Sequence, residues 1–380
     1  MSKPHNTSKG SQYEGTVPTI RDRVVQASLK LVLEPIFETG FSSSSYGFRP
    51  GRRAQDAIED IIHHARVGYE WVFETDIAAC FDEISHPALM SRVRRRIGDK
   101  KILALVKSFL HAGILTGEGI LRDTPSGTPQ GGILSPLLAN IALGEIDEHF
   151  DAKWAGHGGN HGRRMHRRRG GATYRLVRYA DDLIVLVHGT AEQAHAVHGE
   201  VAEVVDRIGL RLAQGKTRTV HIDDGLDFLG FRIQRHTQWG TNRRRVYTYP
   251  SAKSVKSARA KVKALTGTET LHTDPHEVFI RLNQTLRGWT NYFRHGASKI
   301  AFGDLDAYLW YRVWKWLRRR HPRRHWRWII ATYGQTHNRW AFTADGIDLL
   351  SPKAVPIQRY RYRGNSIPTP WSTPAATTAS

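Results

Sequence analysis

The sequence predicts an α+β chain, an alternating strand-and-helix region over residues 16–236 followed by an all-helical one over residues 237–320. Three observations predict it. Short strand-like apolar runs alternate with amphipathic helical ones up to about Arg235. Apolar stripes at helical spacing, with little strand signal, then fill residues 250–320. No apolar run approaches the ~18 to 20 residues of a membrane span, so both regions bury their apolar residues in a core of their own.

In chain order, residues 1–15 are polar, carry no apolar signal segment and are expected to be disordered. Trp71 to Asp76 alternates as a strand that ends on an acid. Ser135 is placed as an N-cap ahead of Pro136, opening a helix through Leu137, Leu138, Ile141 and Ile146. Lys153 to Gly171, rich in Gly, His and basic residues, is expected to be a mobile loop touching phosphates. His157, His161 and His166 within it have no acid or thiol beside them and are not read as a metal site. Thr173 to Tyr179 and Leu183 to Val187 read as a hairpin around Ala180, Asp181 and Asp182. Thr190 with Gln193 forms a capping box before Val197, Val201, Val204, Val205 and Ile208, and Gly209 stops that helix.

Three helices are expected next. The first carries Val255, Ala258, Val262 and Leu265. The second opens on Asp274 and Pro275 and carries Val278, Leu282, Leu286, Trp289 and Phe293. The third follows Asp304, with Leu305, Leu309, Val313 and Trp316. Residues 321–371 interleave arginines with aromatics. Such a pattern suits backbone neutralisation with base stacking, or else tryptophans anchored in a core with solvated arginines beside them. Residues 372–380 are expected to be a disordered tail.

Lys and Arg number 56 against 35 Asp and Glu, a formal charge of +21, which points to a polyanionic partner. Arg far outnumbers Lys, favouring bidentate phosphate contacts. A single cysteine, Cys80, excludes a disulfide framework and a Cys-rich zinc module, and the whole fits the cytosol.

The chemistry-bearing residues are carboxylates. Adjacent acids at a β-turn, Asp181 and Asp182, repel and favour a cation between them, and the apolar flanks Leu176, Val177, Leu183, Ile184 and Val185 make the turn rigid. Asp76 ends a second strand. Oxygen ligands from these acids suit Mg²⁺, and two such ions activate an attacking hydroxyl and stabilise a leaving oxygen. Asp82, beyond the strand end, is read as structural.

With these residues in place, the sequence resembles the reverse transcriptase–maturases encoded by bacterial group II introns. The resemblance runs from about Val17 to Trp371 through PTIRDRVVQ, SYGFRPGR, ETDIAACFDEISH, GTPQGGILSPLLANIAL, RYADDLIVL, GKTRTVHI, FLGF and LRGWTNYFRHG, in family order. It implies a right-hand polymerase with partial fingers, a palm built on a ferredoxin-like sheet, and a three-helix maturase thumb. It implies Asp76, Asp181 and Asp182 as catalytic carboxylates, with Ile77 joining them in the set around two Mg²⁺ ions. Phe81 falls beneath the incoming sugar, where its ring excludes a 2′-hydroxyl; Gln130 and Lys216 complete the dNTP site. Arg49, Arg52, Phe228, Leu229, Gly230, Arg287, Trp289, Arg318, Arg319 and Arg320 fall among the nucleic-acid contacts.

The partners implied are intron RNA, an RNA template with a DNA primer, dNTPs and target DNA, in a bacterial cytoplasm and away from membranes. The block ahead of Val17 does not resemble the family's basic fingers segment, and no Cys-rich nuclease domain follows Trp371. Both are departures from the family pattern. The same residues also fit an RNA-binding splicing maturase without polymerase activity, or a host-domesticated reverse transcriptase in defence or repair.

Overall fold

The strand-like runs that end on acids pair with one another. The protein is described by a computed structural model covering residues 19–112, 114–115, 121–122, 126–128, 131–335, 341–364 and 366–371. Residues 1–15 and 372–380 and the nucleotide-contact candidate Gln130 lie outside the described residues. Two compact units result, one of residues 1–57, 69–219 and 363–380, the other of residues 58–68 and 220–362.

The chain order is α1 (Ile20–Glu38), α2 (Ala54–Arg66), β1 (Trp71–Asp76), α3 (Cys80–Glu83), α4 (His86–Arg94) and α5 (Lys100–Leu110), then β2 (Ile114–Leu115), β3 (Leu121–Arg122), α6 (Ser135–Ala155), α7 (Gly159–Arg168), β4 (Thr173–Tyr179), β5 (Asp182–His188) and α8 (Ala191–Asp206). Next come β6 (Arg218–His221), β7 (Leu226–Phe228), β8 (Phe231–Thr237), β9 (Arg244–Pro250), α9 (Ala252–Leu265), α10 (Pro275–Phe293), α11 (Lys299–Arg320) and α12 (Trp326–Tyr333), and finally β10 (Thr343–Ala344) and β11 (Ile347–Asp348).

The sheet that positions the acids has the strand order β4-β5-β1-β6. With α6 after β1 and α8 after β5, this is the βαββαβ pattern of a ferredoxin-like sheet. β1 runs antiparallel to β5, from Trp71 opposite Val187 to Asp76 opposite Asp182. β4 pairs β5 from Thr173 opposite His188 to Tyr179 opposite Asp182. Phe73, Leu176, Leu183 and Val185 share one core with Leu138 and Ile141 of α6 and Val197 and Val201 of α8. Burying each such side chain contributes about 1.5–3 kcal/mol. The Thr190–Gln193 capping box forms as its sequence requires.

Two local expectations are corrected here. Ser135 is the first helical residue of α6, not its N-cap; the cap is Leu134, which makes no side-chain bond. Lys153 to Gly171 is no loop. It comprises the end of α6 and the helix α7, separated by Gly158 in the left-handed region at φ 64°. Arg163 locks the pair: its guanidinium lies 3.9 Å over the Trp154 ring and donates to Trp154 O at 3.1 Å and to Asn160 Oδ1 at 2.7 Å. Aromatic stacking and two hydrogen bonds thus order a stretch whose glycines suggested freedom.

In the second unit β7, β8 and β9 form an antiparallel sheet, with Phe231 opposite Pro250 and Thr237 opposite Arg244. β8 and β9 form one paired hairpin across residues 231–250. α9, α10 and α11 form the expected bundle around Val262, Leu282, Leu286, Leu309, Val313 and Trp316. α11 starts at Lys299, five residues before Asp304, because Phe302, fully buried, extends its apolar stripe backwards. Ile329 of α12, Phe342 and Ala344 belong to the same core, and Trp328 packs on it. The core-anchor reading therefore holds for those residues of the basic, aromatic segment, whereas Trp326 is 45% exposed.

Candidate active site

Register alone brings the acids together. Asp76, the last residue of β1, stands opposite Asp182, the first of β5, and Tyr179 also pairs with Asp182, leaving Ala180 and Asp181 as the two-residue tip of the hairpin. Ala180 takes φ 57°, a left-handed conformation that costs a non-glycine residue about 1 kcal/mol or more. Something must hold it there.

That support is a buried polar network on Arg178, whose side chain is fully enclosed. Its guanidinium donates to both oxygens of Asp147 on α6, at 2.8 and 2.6 Å, and to Asn140 Oδ1 at 2.9 Å. It also donates to Ser45 Oγ at 2.7 Å and to the carbonyl of Ala180 itself at 2.9 Å. Asn140 Nδ2 in turn donates to the Gly47 carbonyl at 2.9 Å. A Cβ on Gly47 would meet Ala180 N at 2.2 Å, so only glycine lets this loop close over the tip.

The loop carrying Gly47 is fixed by the arginines expected to contact nucleic acid. Arg49 is buried and grips Glu38 bidentately, Nη2 donating to Oε1 at 2.8 Å and Nε to Oε2 at 3.0 Å, while Nη1 donates to Ser45 O at 2.8 Å. Arg52 donates to Ser43 O at 2.8 Å, and burial, followed by the neighbouring Arg49 charge, lowers its pKa to about 10. Arg49 is corrected: a buried Glu38 needs this cation, so it is not available to phosphates, whereas Arg52 is part-buried and commits Nη1 to the Ser43 carbonyl.

The acids themselves form an open edge. Desolvation, and the Asp76 charge with it, raises the Asp181 pKa, while desolvation and then the adjacent Asp181 push Asp182 up to about 6. Lys216 Nζ is hydrogen-bonded to Asp76 Oδ2, which raises the lysine pKa. The lysine is delivered there by backbone pairing: Ala213 N donates to Asp76 O at 2.8 Å and Ala78 N to Arg211 O at 2.9 Å. These ladder bonds pass either side of Ile77, whose carbonyl takes neither and whose side chain is buried.

Among the described residues no group of three His, Cys, Asp or Glu side chains closes on one point. The carboxylates nonetheless suit a hard divalent cation: all the donors are oxygens, desolvation and then mutual repulsion raise two of their pKa values, and an ammonium already stands against the third. Cys80 behind them is inert, because burial, with Asp181 adding to it, pushes its thiol up to about 12.

Phe81, in α3 five residues after Asp76, is half-buried, with its ring edge-on to the exposed Phe48 at 6.3 Å. Asp82 lies in the same short helix and is exposed.

Of the remaining nucleic-acid candidates, Leu229 and Gly230 form the β7–β8 turn, both at positive φ (47° and 78°), as a two-residue hairpin favours. Tyr292 Oη donates to Leu229 O at 2.9 Å and Ser254 Oγ to Gly230 O at 2.8 Å, so the turn is held at both positions. Phe228 faces the core and is corrected to a structural residue. Trp289 is corrected likewise, its ring lying 5.0 Å from Phe293 and 5.6 Å from Phe302. Arg320 donates to Leu271 O and to Thr273 O at 2.7 Å, fixing the α9–α10 connection instead of facing solvent. Arg287, Arg318 and Arg319 are exposed.

Sequence reasoning missed the Arg178 network. Its signal was an arginine between the buried Val177 and the turn that carries Asp181, together with an acid, Asp147, among the apolar residues of α6.

Residues 6–233 match the family described as reverse transcriptase (RNA-dependent DNA polymerase), and residues 255–334 match the group II intron maturase-specific domain. The chain is 34% identical to Protein YkfC of Escherichia coli over 257 residues, covering 63% of this chain and 67% of that one. It is 31% identical to the group II intron-encoded protein LtrA of Lactococcus lactis (57% of this chain, 44% of that one). It is 33% identical to an uncharacterized 91 kDa protein in the cob intron of Schizosaccharomyces pombe (60% and 33%). The chain thus spans less than half the length of the latter two relatives.

Proposed function

Because the chain belongs to the group II intron-encoded reverse transcriptases, with their right-hand polymerase fold and maturase domain, we propose that it copies RNA into DNA and also binds its intron RNA. One observation carries the polymerase reading. Asp76 and Asp182 are register partners on neighbouring strands, and Asp181 is one residue away on a hairpin tip that Arg178 holds.

Asp76, Asp181 and Asp182 would hold two Mg²⁺ ions, whose chemistry is to stabilise charge on the attacking 3′-hydroxyl and on the leaving oxygen. Everything else falls to the chain. The rigid tip keeps the carboxylates aligned, since a displacement of about 1 Å can cost ~10²-fold in rate. Lys216 balances Asp76 and sits where a triphosphate arrives. The Phe81 ring closes the space beneath the sugar and selects deoxynucleotides by clash with a 2′-hydroxyl. The exposed Arg287, Arg318 and Arg319 neutralise RNA phosphates. An RNA template with a DNA primer, dNTPs and target DNA complete the partner set. A bacterial cytoplasm is the compartment in which these partners meet; among the described residues no helix is long and apolar enough to cross a membrane.

The test is primer extension on an RNA template by the purified chain, with and without Mg²⁺. DNA synthesis that requires Mg²⁺ supports the reading, and no synthesis at any Mg²⁺ concentration refutes the polymerase half.

A further inference from the structure

The second unit contains a cleft of about 630 Å³ that the polymerase chemistry does not use. Its volume is that of a small-ligand pocket. Its walls come from β9, the turn between α10 and α11, the end of α2, and the segment 357–360.

The walls are pre-set. Ala297 N donates to Thr248 O at 2.6 Å, and a Cβ on Gly296 would meet that same carbonyl at 2.6 Å, so the turn lies flat on β9. Gln358 N donates to Arg294 O at 3.0 Å, and His295 Nδ1 donates to Gln358 O at 2.9 Å. Tyr360 sets its ring edge-on to His295 at 5.1 Å. Tyr362, just beyond, stacks on His63 at 4.2 Å and donates to Asp60 at 3.1 Å. An irregular segment is thereby strapped down as a wall.

The lining is cationic and aromatic. Arg66, Arg244, Arg245 and Arg359 line it with a single acid, Glu59, whose pKa burial raises, and with Tyr247 and Tyr360. Arg244 is paired with Asp223. Arg245 and Arg359 are exposed and have no ion pair among the described residues. A free phosphate would not use the rings, and a folded duplex would not enter a cleft of this size. Guanidinium groups and tyrosines lining one cleft match the backbone and base of an unpaired nucleotide.

We propose that this cleft seats one or two unpaired nucleotides of a polynucleotide strand, with Arg245 and Arg359 on phosphate and Tyr247 or Tyr360 beneath a base. The inference rests on the reading of the chain as an RNA-handling polymerase, and it names a binding site that the polymerase reaction does not require. A looped RNA and a single-stranded DNA share this chemistry, so both are probed.

The experiment uses the full chain with labelled short RNA and DNA oligomers of one sequence, in parent and in the Arg245→Ala/Arg359→Ala variant. Oligomer affinity should fall about tenfold or more, with the salt slope smaller by about two. Extension of a saturating primer–template hybrid should stay at the parental rate. Loss for the RNA alone identifies an RNA site, and loss for both identifies a general single-strand site. Tyr247→Ala should weaken binding and leave the salt slope unchanged, a split that a merely charged surface would not give. If the double variant does not fold, Arg359→Glu on the exposed segment is measured in its place, with the same loss expected. Parental oligomer affinity in the folded variants overturns the proposal, and because extension is read separately, the polymerase reading stands or falls by itself.

Discussion

With Arg320 set aside, the arginines singled out in the two units are used in opposite ways. In the first, Arg49, Arg52 and Arg178 lie inside the fold and hold backbone carbonyls and acids in place. In the second, Arg245, Arg287, Arg318, Arg319 and Arg359 stand in solvent. The lesson is that a net charge of +21 does not locate a nucleic-acid surface. A guanidinium in a motif beside the catalytic turn is committed to geometry, while one on an outer helix face is open to phosphate.

The contrast breaks most visibly at the acids themselves. Asp76→Ala should reduce extension to background with RNA affinity changed no more than a few-fold, because the carboxylate faces a cation and not the nucleic acid. Extension at the parental level would remove Asp76 from the site. Arg178→Met comes next. It leaves Asp147 buried without its partner and should lower unfolding free energy by about 3–5 kcal/mol in denaturant titration. Adding Asp147→Leu should restore most of that stability but not extension, since Ala180 O still lacks its anchor. Arg287→Ala on the exposed face should shift stability by less than about 0.5 kcal/mol.

Smaller effects sharpen the comparison. Phe81→Ala should narrow dNTP-over-rNTP discrimination by roughly 10- to 100-fold in single-nucleotide incorporation. Unchanged discrimination would return Phe81 to the role of a packing residue for Phe48. Arg318→Ala/Arg319→Ala should lower the salt slope of RNA binding by about two, with little loss of stability. Arg320 is left out because its guanidinium holds the Leu271 and Thr273 carbonyls.

Much of this was legible from local pattern. Strand period placed Asp76 and the Asp181–Asp182 turn at strand ends, capping chemistry placed α8, and helical spacing placed the bundle. What escaped depended on tertiary partners. Arg49 reads as a phosphate contact until Glu38, eleven residues earlier, is seen buried beside it. Residues 153–171 read as a loop because composition does not reveal that Arg163 stacks on Trp154. The third thumb helix began early because the Phe302 side chain joins a stripe that local caps do not announce.

The central claim is that the open carboxylate edge is a metal site held by the first unit's buried arginine. It is tested most directly by titrating Mn²⁺, followed by electron paramagnetic resonance, into the full chain bound to primer–template and a non-hydrolysable dNTP. The parent and Asp181→Ala are compared. The parent should take up Mn²⁺ at sites absent from Asp181→Ala, while both hold RNA equally well. Equal Mn²⁺ uptake by the two chains would contradict it.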